Sequence, residues 1–192
     1  PPSRHPVLWY LWFEWAVPFT LNKHQADLFV SMDNYCSLRA KQPTVMVTHD
    51  IAHIHYPQQI PALVRHYYNH YVPRYLERAE QIVTVSEFCR QDIHQHYGTE
   101  LSKIDVSCNA AADDFHPLSD PEIVSTRQEY SQGQAYFFYL GAVHPRKNIA
   151  RLIAAFDQFK KETSAPVKLL IGGRFAWQTG DIQTAFAAAS HQ

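Results

Sequence analysis

The chain has 192 residues, enough for one large domain or for parts of two, and 46% of them are hydrophobic, as in a packed globular core. Its 17 basic and 18 acidic residues give a formal net charge of -1, so a broad nucleic-acid-binding surface, which usually carries a basic excess, is not expected. The three cysteines (Cys36, Cys89 and Cys108) are scattered and form no CxxC pair, so we predict a reduced, cytoplasmic setting without a disulfide framework or a zinc knuckle.

An apolar, tryptophan-rich run over residues 7–21 is the one candidate for a membrane segment. Glu14 and Pro18 interrupt it, and it is shorter than the roughly 20 apolar residues that a spanning helix needs. We therefore predict a strand over residues 7–12 that leads into a core helix over residues 13–23. The tryptophans would also suit a membrane interface, so peripheral contact at the inner face of a membrane is an alternative.

Strand and helix patterns then alternate as far as residue 107, which is typical of parallel βαβ units. Pro73 is expected to end one helix and begin the next, because proline disrupts a helix interior. The basic side of these two helices is either simply solvated or receives an anionic acceptor or membrane surface. The predicted strands cover residues 27–31, 44–48, 81–85 and 103–107, and the predicted helices cover residues 61–71, 73–79 and 87–96.

The pattern changes after Asn109, which predicts a domain boundary. Residues 110–117 are loop-like, a capped helix begins near residue 119, and a new strand, loop, helix and strand series starts at Tyr136. We expect two separate parallel sheets. The predicted division is a first domain over residues 1–116, a linker with a connecting helix over residues 117–134, and a second domain over residues 135–192.

The most informative segment is YFFYLGAVHPRKNIARLIAAF, residues 136–156. It predicts a strand over residues 136–140, a short loop, and a helix with apolar residues at i, i+3, i+4 and i+7. Arg146 and Lys147 stand at the start of that helix, where the partial positive charge of a helix N-terminus should repel them. Free N–H groups point to the same place, beyond the carboxyl end of a strand, where open α/β sheets bind ligands. We interpret the pair as a phosphate or diphosphate site, with two solvated basic residues as the alternative.

Two other strand ends carry candidate binding residues. Ser86 follows the strand at residues 81–85 and can cap the next helix, with Glu87 well placed in the first turn. Gly172 and Gly173 follow the apolar strand VKLLI. Their missing side chains would let a ligand or a neighbouring backbone approach closely, although they could equally be ordinary turn residues.

His49 and Asp50 directly follow the strand at residues 44–48, in the segment VTHDIAHIHYP. Together with His53 and His55 they could ligate a metal, since imidazole and carboxylate are ordinary Zn²⁺ ligands. A metal-dependent hydrolase is therefore an alternative function. No distant ligand group completes a known pattern.

Several segments, taken together and in order, resemble a GT-B-fold glycosyltransferase of the group 1 family, glycosyltransferase family 4. The resemblance covers nearly the whole chain. The segments are THDIAHIHYP (48–57), AEQIVTVSEFCRQDI (79–93), KIDVSCNAAADDFHP (103–117), YFFYLGAVHPRKNIARLIAAF (136–156) and VKLLIGG (167–173).

The resemblance implies two Rossmann-like domains, the first on the acceptor side and the second binding the nucleotide-sugar donor. Arg146 and Lys147, with Asn148, match the family's RKN loop, whose cations bind the donor diphosphate. The backbone around Gly141 would pass close to the donor, and Gly172 and Gly173 are further donor-binding candidates.

Asp50, Ser86 and Glu87 would lie on the wall of the cleft. His49 matches a histidine that lies near the donor sugar, where it would orient a hydroxyl group. The alternative is a histidine that only hydrogen-bonds a buried loop.

The family also implies a retaining transfer of a hexosyl group, mannosyl or glucosyl, to a sugar, lipid or polysaccharide-precursor acceptor. Fixed cations and helix N–H groups would stabilise the diphosphate leaving group without a metal or cofactor. We name no catalytic base, because the leaving phosphate oxygen would accept the acceptor's proton. A non-catalytic nucleotide-binding fragment is the remaining alternative.

The sequence departs from the family pattern in two respects. The family often has Asn-Gly where this chain has Asn109-Ala110, so the turn there cannot rely on glycine. The family's glycine-rich acceptor loop would precede residue 1, and its pair of glutamates would follow residue 192. We therefore expect both domains to be incomplete in this chain and this piece alone to lack activity.

Overall fold

The computed structural model describes residues 5–174 and 180–190, apart from the side chain of Arg146. The chain divides into two compact units, residues 1–111 and residues 112–192. Each unit has its own sheet, and every strand pair in both sheets is parallel. The predicted α/β class and the two separate parallel sheets are confirmed.

The first unit contains a four-stranded sheet in the order β1-β2-β3-β4. Every predicted strand of this sheet is present, each slightly shorter than expected, and β2 and β3 at its centre have no exposed residue. The strands are β1 (Phe29–Ser31), β2 (Thr44–Val47), β3 (Gln81–Thr84) and β4 (Ile104–Val106).

The tryptophan-rich run is helical, so the strand predicted over residues 7–12 is wrong. It forms α1 (Pro6–Leu11), a π-helical turn (Trp12–Ala16) and α2 (Val17–Lys23). Pro18 lies inside this continuous helical run, directly after the π-helical turn, where the pattern of backbone hydrogen bonds already departs from that of an α-helix. One face of the run packs inward, where Trp9 contacts three tyrosine rings. The opposite face also carries large apolar side chains, which are exposed to solvent. Because apolar residues lie on both faces, the sequence pattern alone resembles that of a strand. No helix within residues 5–174 or 180–190 is long and apolar enough to cross a membrane.

Helices and short turns connect the remaining strands of the first unit. The helix break predicted at Pro73 is wrong, because one continuous helix spans it. An interior proline costs about 3 kcal/mol. Burial of the helix face offsets this cost, and the Tyr67 and Tyr75 hydroxyl groups hydrogen-bond at 2.7 Å across the proline. The helices are α3 (Ala52–His55), α4 (Ala62–Arg78) and α5 (Glu87–Tyr97), with 3-10 turns at Pro57–Gln59 and Leu101–Lys103.

The core of the first unit lies between the sheet and these helices. Ile82 of β3 and Tyr75 of α4 are fully buried at its centre. Trp9 of α1 and Tyr68 of α4 pack against it from the side. The first unit therefore has a continuous apolar core beneath the carboxyl ends of its strands.

The second unit is built on the parallel pair β5 (Ala135–Leu140) and β6 (Val167–Gly172). The strand predicted over residues 136–140 is confirmed. The connecting helix predicted within residues 117–134 is α6 (Asp120–Ser131), which begins with a capping box between Ser119 and Glu122. A 3-10 turn (Pro145–Lys147), α7 (Ile149–Thr163) and α8 (Gly180–Ala188) complete the described elements.

Candidate functional site

Backbone hydrogen bonds fix the loop that follows β5. The Gly141 N–H donates to the Gly172 carbonyl oxygen at 3.0 Å, which extends the pairing of β5 with β6 by one step. The Val143 N–H donates to the Arg174 carbonyl oxygen at 3.0 Å, and the Val143 side chain is buried in the core of the second unit. Residues 141–143, which precede the basic residues, are therefore hydrogen-bonded to the end of β6 and to the segment that follows it.

The basic pair lies in the 3-10 turn Pro145–Lys147. The Asn148 N–H closes this turn by donating to the Pro145 carbonyl oxygen at 2.9 Å, and Asn148 itself has a left-handed backbone with a φ of 55°. Because α7 begins after Asn148, Arg146 and Lys147 lie immediately before the helix rather than in its first turn. The side chain of Arg146 lies outside the described part of the structure.

The start of α7 is electrostatically positive. The Lys147 side chain is exposed and forms no ion pair with the described residues. The first turn of α7 contains no acidic residue. The first N–H groups of a helix have no intrahelical partner and carry a partial positive charge. A cation and unpaired N–H groups therefore occur together, as an anion site requires.

The glycine pair after β6 is explained by a close backbone approach. A Cβ atom placed on Gly173 would lie 1.8 Å from the Gly141 carbonyl oxygen, far inside van der Waals contact. Gly173 also has a φ of 141°, which L-residues rarely adopt. A Cβ on Gly172 would lie 3.2 Å from the Leu140 side chain. The missing side chain of Gly173 therefore makes room for the neighbouring backbone at Gly141.

His49 lies at the carboxyl edge of the first sheet and is tied to the segment that follows β1. Its N–H donates to the Asn34 side-chain oxygen at 2.7 Å, and its Nε2 lies 3.0 Å from the Met32 carbonyl oxygen. A carbonyl oxygen only accepts hydrogen bonds, so Nε2 carries a proton. In the neutral ring Nδ1 is then an acceptor, and it makes no hydrogen bond with the described residues.

A small cavity of about 130 Å³ lies beneath the same edge of the sheet. The hydroxyl oxygen of Thr48 is buried and has no hydrogen-bond partner among the described residues. Buried hydroxyl groups are normally paired, so this one requires a water molecule or a ligand group. Asp50 accepts the Ala52 N–H at 3.0 Å and so fixes the start of α3. Side chains that line the cavity include Asn34, Thr48, Asp50, His53 and Tyr68.

Ser86 caps α5 as the sequence predicts, by accepting the Cys89 N–H at 3.2 Å. Glu87 is exposed at the first position of the helix, and the Gln91 side chain donates to it at 2.8 Å. This hydrogen bond, with Arg90 nearby, lowers the pKa of Glu87. Ser86 therefore has a structural role, whereas Glu87 presents a carboxylate to solvent.

The structure does not bring together the four residues considered as a metal site. His49 is tied to the segment after β1, and His53 is buried with its Nε2 2.9 Å from the Tyr97 hydroxyl group. Burial lowers the pKa of His53. His55 turns instead towards Asp92 of α5.

Sequence reasoning missed a different cluster, because its members are far apart in the chain. Within the described ranges, the group close enough to hold a metal ion is His55, Asp92 and His96. The i, i+4 spacing of Asp92 and His96 on one helix face was the available signal.

Comparison with known proteins identifies the relatives of the chain. The sequence model of Glycosyltransferase Family 4 matches residues 1–114. O-antigen chain mannosyltransferase B of Escherichia coli is 30% identical over 135 residues, which are 70% of this chain and 35% of the relative. O-antigen chain mannosyltransferase RfbU of Salmonella typhimurium is 24% identical over 166 residues, which are 86% of this chain and 42% of the relative. The matched part of the chain thus spans less than half the length of these relatives.

A solved structure is also similar, the crystal structure of a glycosyltransferase from Rickettsia africae ESF-5. It matches with a TM-score of 0.63 at 14% identity, over 97% of this chain and 49% of that chain. The similarity confirms the predicted GT-B-like α/β fold.

Proposed function

The chain belongs to glycosyltransferase family 4, and on that basis we propose that the protein transfers a hexosyl group from a nucleotide-sugar donor to an acceptor. One observation in the structure carries the proposal. Lys147 is exposed, has no ion-pair partner among the described residues, and lies beside the positive end of α7. An anion would pair this cation and the nearby N–H groups at the same time.

The proposed donor site is the turn between β5 and α7. Arg146 and Lys147 would bind the diphosphate, and Asn148 would direct the chain so that the first N–H groups of α7 face it. Gly141 and Gly173 bring the ends of β5 and β6 close together, so backbone rather than side chains lies beside the donor. In this proposal residues 135–192 belong to the donor-binding domain and residues 1–116 to the acceptor-side domain.

The chemistry follows from where charge develops. Departure of a nucleoside diphosphate leaves negative charge on phosphate oxygen while the sugar ring becomes positive. A fixed lysine and helix N–H groups stabilise that negative charge without having to reorganise during the reaction. We propose a retaining transfer that needs no metal, in which the leaving phosphate oxygen accepts the acceptor's proton. No side chain is assigned as the base.

His49 and the cavity beneath it are proposed to contact sugar hydroxyl groups. The Nε2 of His49 donates a hydrogen bond to the Met32 carbonyl oxygen, which fixes the orientation of the ring. The other ring nitrogen, Nδ1, is then an acceptor. The buried Thr48 hydroxyl group needs a partner of its own. Asp50 and Glu87 are proposed to line the acceptor-side wall of the cleft.

The relatives narrow the choice of donor and acceptor. Two of them are named as O-antigen chain mannosyltransferases. We therefore propose a mannosyl donor and a polysaccharide-precursor acceptor, with reaction in the cytoplasm.

Peripheral contact with the inner face of the membrane is proposed from the exposed face of α1 and α2. Four side chains at i, i+4 spacing form an apolar stripe along α1, the π-helical turn and α2, and they are 48–69% exposed. The ring of Trp15, in the π-helical turn, also lies 3.9 Å from the Arg39 guanidinium. Such a stripe suits the boundary between headgroups and acyl chains. Sedimentation with anionic vesicles tests it: Trp15→Ser should reduce the bound fraction, whereas Phe115→Ser, which changes a loop side chain that is 80% exposed, should not. The stripe consists of Val7, Leu11, Trp15 and Phe19.

The experiment for the proposed function supplies the full-length protein, rather than this piece alone, with nucleoside-diphosphate mannose or glucose and a polysaccharide-precursor acceptor. We expect mannose to reach the acceptor, with unchanged activity after chelation. The anomeric configuration of the product, read by NMR coupling, tests retention. Release of nucleoside diphosphate only when a divalent metal is added would contradict the metal-free mechanism. Donor binding without any transfer would favour the non-catalytic alternative.

A further inference from the structure

A cluster of two imidazoles and one carboxylate joins α3 to α5. The Nε2 of His55, at the end of α3, lies 2.8 Å and 3.0 Å from the two carboxylate oxygens of Asp92. The Nδ1 of His96, one turn further along α5, lies 3.0 Å from the same carboxylate and 3.0 Å from the Asp92 main-chain oxygen. The two rings are nearly perpendicular, with centroids 4.9 Å apart. Both rings therefore direct a nitrogen towards one carboxylate.

The separations between these atoms suit a small divalent ion. One ligand atom from each residue lies within 4.8 Å of the others. Ligands about 2.0–2.1 Å from a tetrahedral Zn²⁺ ion are about 3.4 Å apart. In the structure these contacts are N–H···O hydrogen bonds, so an ion would have to replace the proton on each ring nitrogen. The nitrogen–oxygen contacts of 2.8–3.0 Å would then open by about 0.4–0.6 Å to reach the ligand spacing.

The chemistry and burial of the three side chains also match a metal site. Asp92 is the least accessible, with 11% of its side chain exposed, while His55 and His96 are 38% and 35% exposed. An ion could reach the imidazoles from solvent, and a water molecule could complete its coordination. Imidazole with a carboxylate is a ligand set for Zn²⁺ and related divalent transition metals.

We propose that His55, Asp92 and His96 form a binding site for a divalent transition-metal ion of the Zn²⁺ class. The site is separate from the basic turn of the second unit and does not depend on the proposed transferase activity. Its role is structural. The ion ties the end of α3 to α5, and α3 starts directly after the loop that carries His49 and Asp50. A bound ion therefore restrains that loop, together with the neighbouring hydrogen bond between His53 and Tyr97.

A second pair of histidines could compete for the metal ion. His66 and His70 have the same i, i+4 spacing on α4, and their rings stack at 6.5 Å. The structure places no carboxylate with this pair in a group of three ligands among the described residues. The proposal therefore predicts that the carboxylate-containing cluster, and not the simple pair, provides the tighter site.

The test is a calorimetric titration of the chelator-treated protein with ZnCl₂. We expect one tight equivalent and a rise in the unfolding temperature, because an ion that binds only the folded state stabilises it. His55→Ala and His96→Ala should each weaken binding by at least about 10- to 100-fold, the loss that follows even when an outer partner of a ligand is removed. Asp92→Asn keeps the shape of the side chain and should weaken binding similarly. Absorption by Co²⁺ provides a second readout, and its intense visible bands should disappear in the same variants.

His70→Ala is the matched control and should bind Zn²⁺ as the unmodified protein does. Circular dichroism of every variant establishes that α4 and α5 are intact. The proposal is overturned if Zn²⁺ does not saturate one site. It is also overturned if binding survives in His55→Ala and His96→Ala, or if His70→Ala abolishes it.

Discussion

The two units of the chain differ in how far they bury their sheets. Both faces of β2 and β3 are buried or half-buried in the first unit. In the second unit β5 leaves Phe137, Phe138 and Leu140 exposed by 53%, 61% and 73%. The first unit packs a large core beneath its strand ends, whereas the buried core of the second unit consists of Val143, Ile149, Ile153 and Ile182 among the described residues.

Because of this difference, the two candidate sites are held in place by different interactions. His49 and Asp50 rest on a sheet whose position is fixed by packing. The basic turn is held by backbone hydrogen bonds and by the buried side chains of Val143 and Ile149 on either side of it. The close approach of Gly173 to Gly141 also fixes the strand ends. Core substitutions should therefore affect the first unit most, and backbone substitutions the second.

The largest effect is expected from truncating the core of the first unit. Ile82 is fully buried in β3, so Ile82→Ala should lower the free energy of unfolding by about 2–5 kcal/mol. Leu140→Ala removes a side chain of the same size from β5 but should cost less than about 0.5 kcal/mol, because Leu140 is 73% exposed. Urea unfolding, followed by circular dichroism and by tryptophan fluorescence, measures both. Equal losses would remove the contrast between the units.

The next effect tests the backbone of the second unit. Gly173→Ala should destabilise by more than about 1 kcal/mol, because the added Cβ must displace the Gly141 carbonyl oxygen as well as adopt a positive φ. Gly98→Ala is the matched control. Gly98 also has a positive φ, of 67°, but a Cβ there meets no atom within 4 Å. Thermal unfolding of the two variants compares them, and an equal loss would show that the close approach does not matter.

The smallest effect concerns Glu14, which is 3% exposed in the first unit and accepts the Leu38 N–H at 3.1 Å. Burial raises the pKa of Glu14 above 4.5. A raised pKa gives stability that is complete below pH 4.5 and is lost as the pH rises through the folded pKa. Glu14→Gln keeps an acceptor oxygen and does not titrate. Its stability relative to the unmodified protein should therefore increase between pH 4 and pH 7 in urea titrations, and a difference independent of pH would contradict this account.

The sequence predicted the parallel strands of both sheets, because β-branched or aromatic runs bounded by turns are local signals. It did not predict the helix over residues 6–11. A short apolar run is compatible with a strand or a helix, and only the tertiary structure shows which of its side chains are buried. Leu11, for example, is apolar but 48% exposed, so it gives no sign of the buried helix face. It also placed a break at Pro73, since the tertiary packing of Tyr75 and Leu76 that offsets the proline is not visible locally.

The same limit applied to the candidate sites. The basic pair was found because a cation at a helix start breaks a local rule. The structure adds that Asn148 separates the pair from the helix. The cluster of His55 with Asp92 and His96 was missed, because 37 residues separate His55 from Asp92 and only the fold brings them together.

The central claim is that the basic turn before α7 binds the donor diphosphate. Calorimetric titration with a panel of nucleoside diphosphates tests it in the unmodified protein, in Lys147→Ala and in Lys161→Ala. Lys161 lies at the far end of the same helix, paired with Asp157 at 2.7 Å, and serves as the matched control.

Loss of a charge-assisted hydrogen bond of about 1.5–3 kcal/mol should weaken binding about 10- to 150-fold in Lys147→Ala and leave it unchanged in Lys161→Ala. Without ligand, the unfolding temperature of Lys147→Ala should hold or rise, because a cation is removed from the N-terminal end of a helix. Unchanged affinity together with lower stability in Lys147→Ala would show that the turn is structural and contradict the donor site.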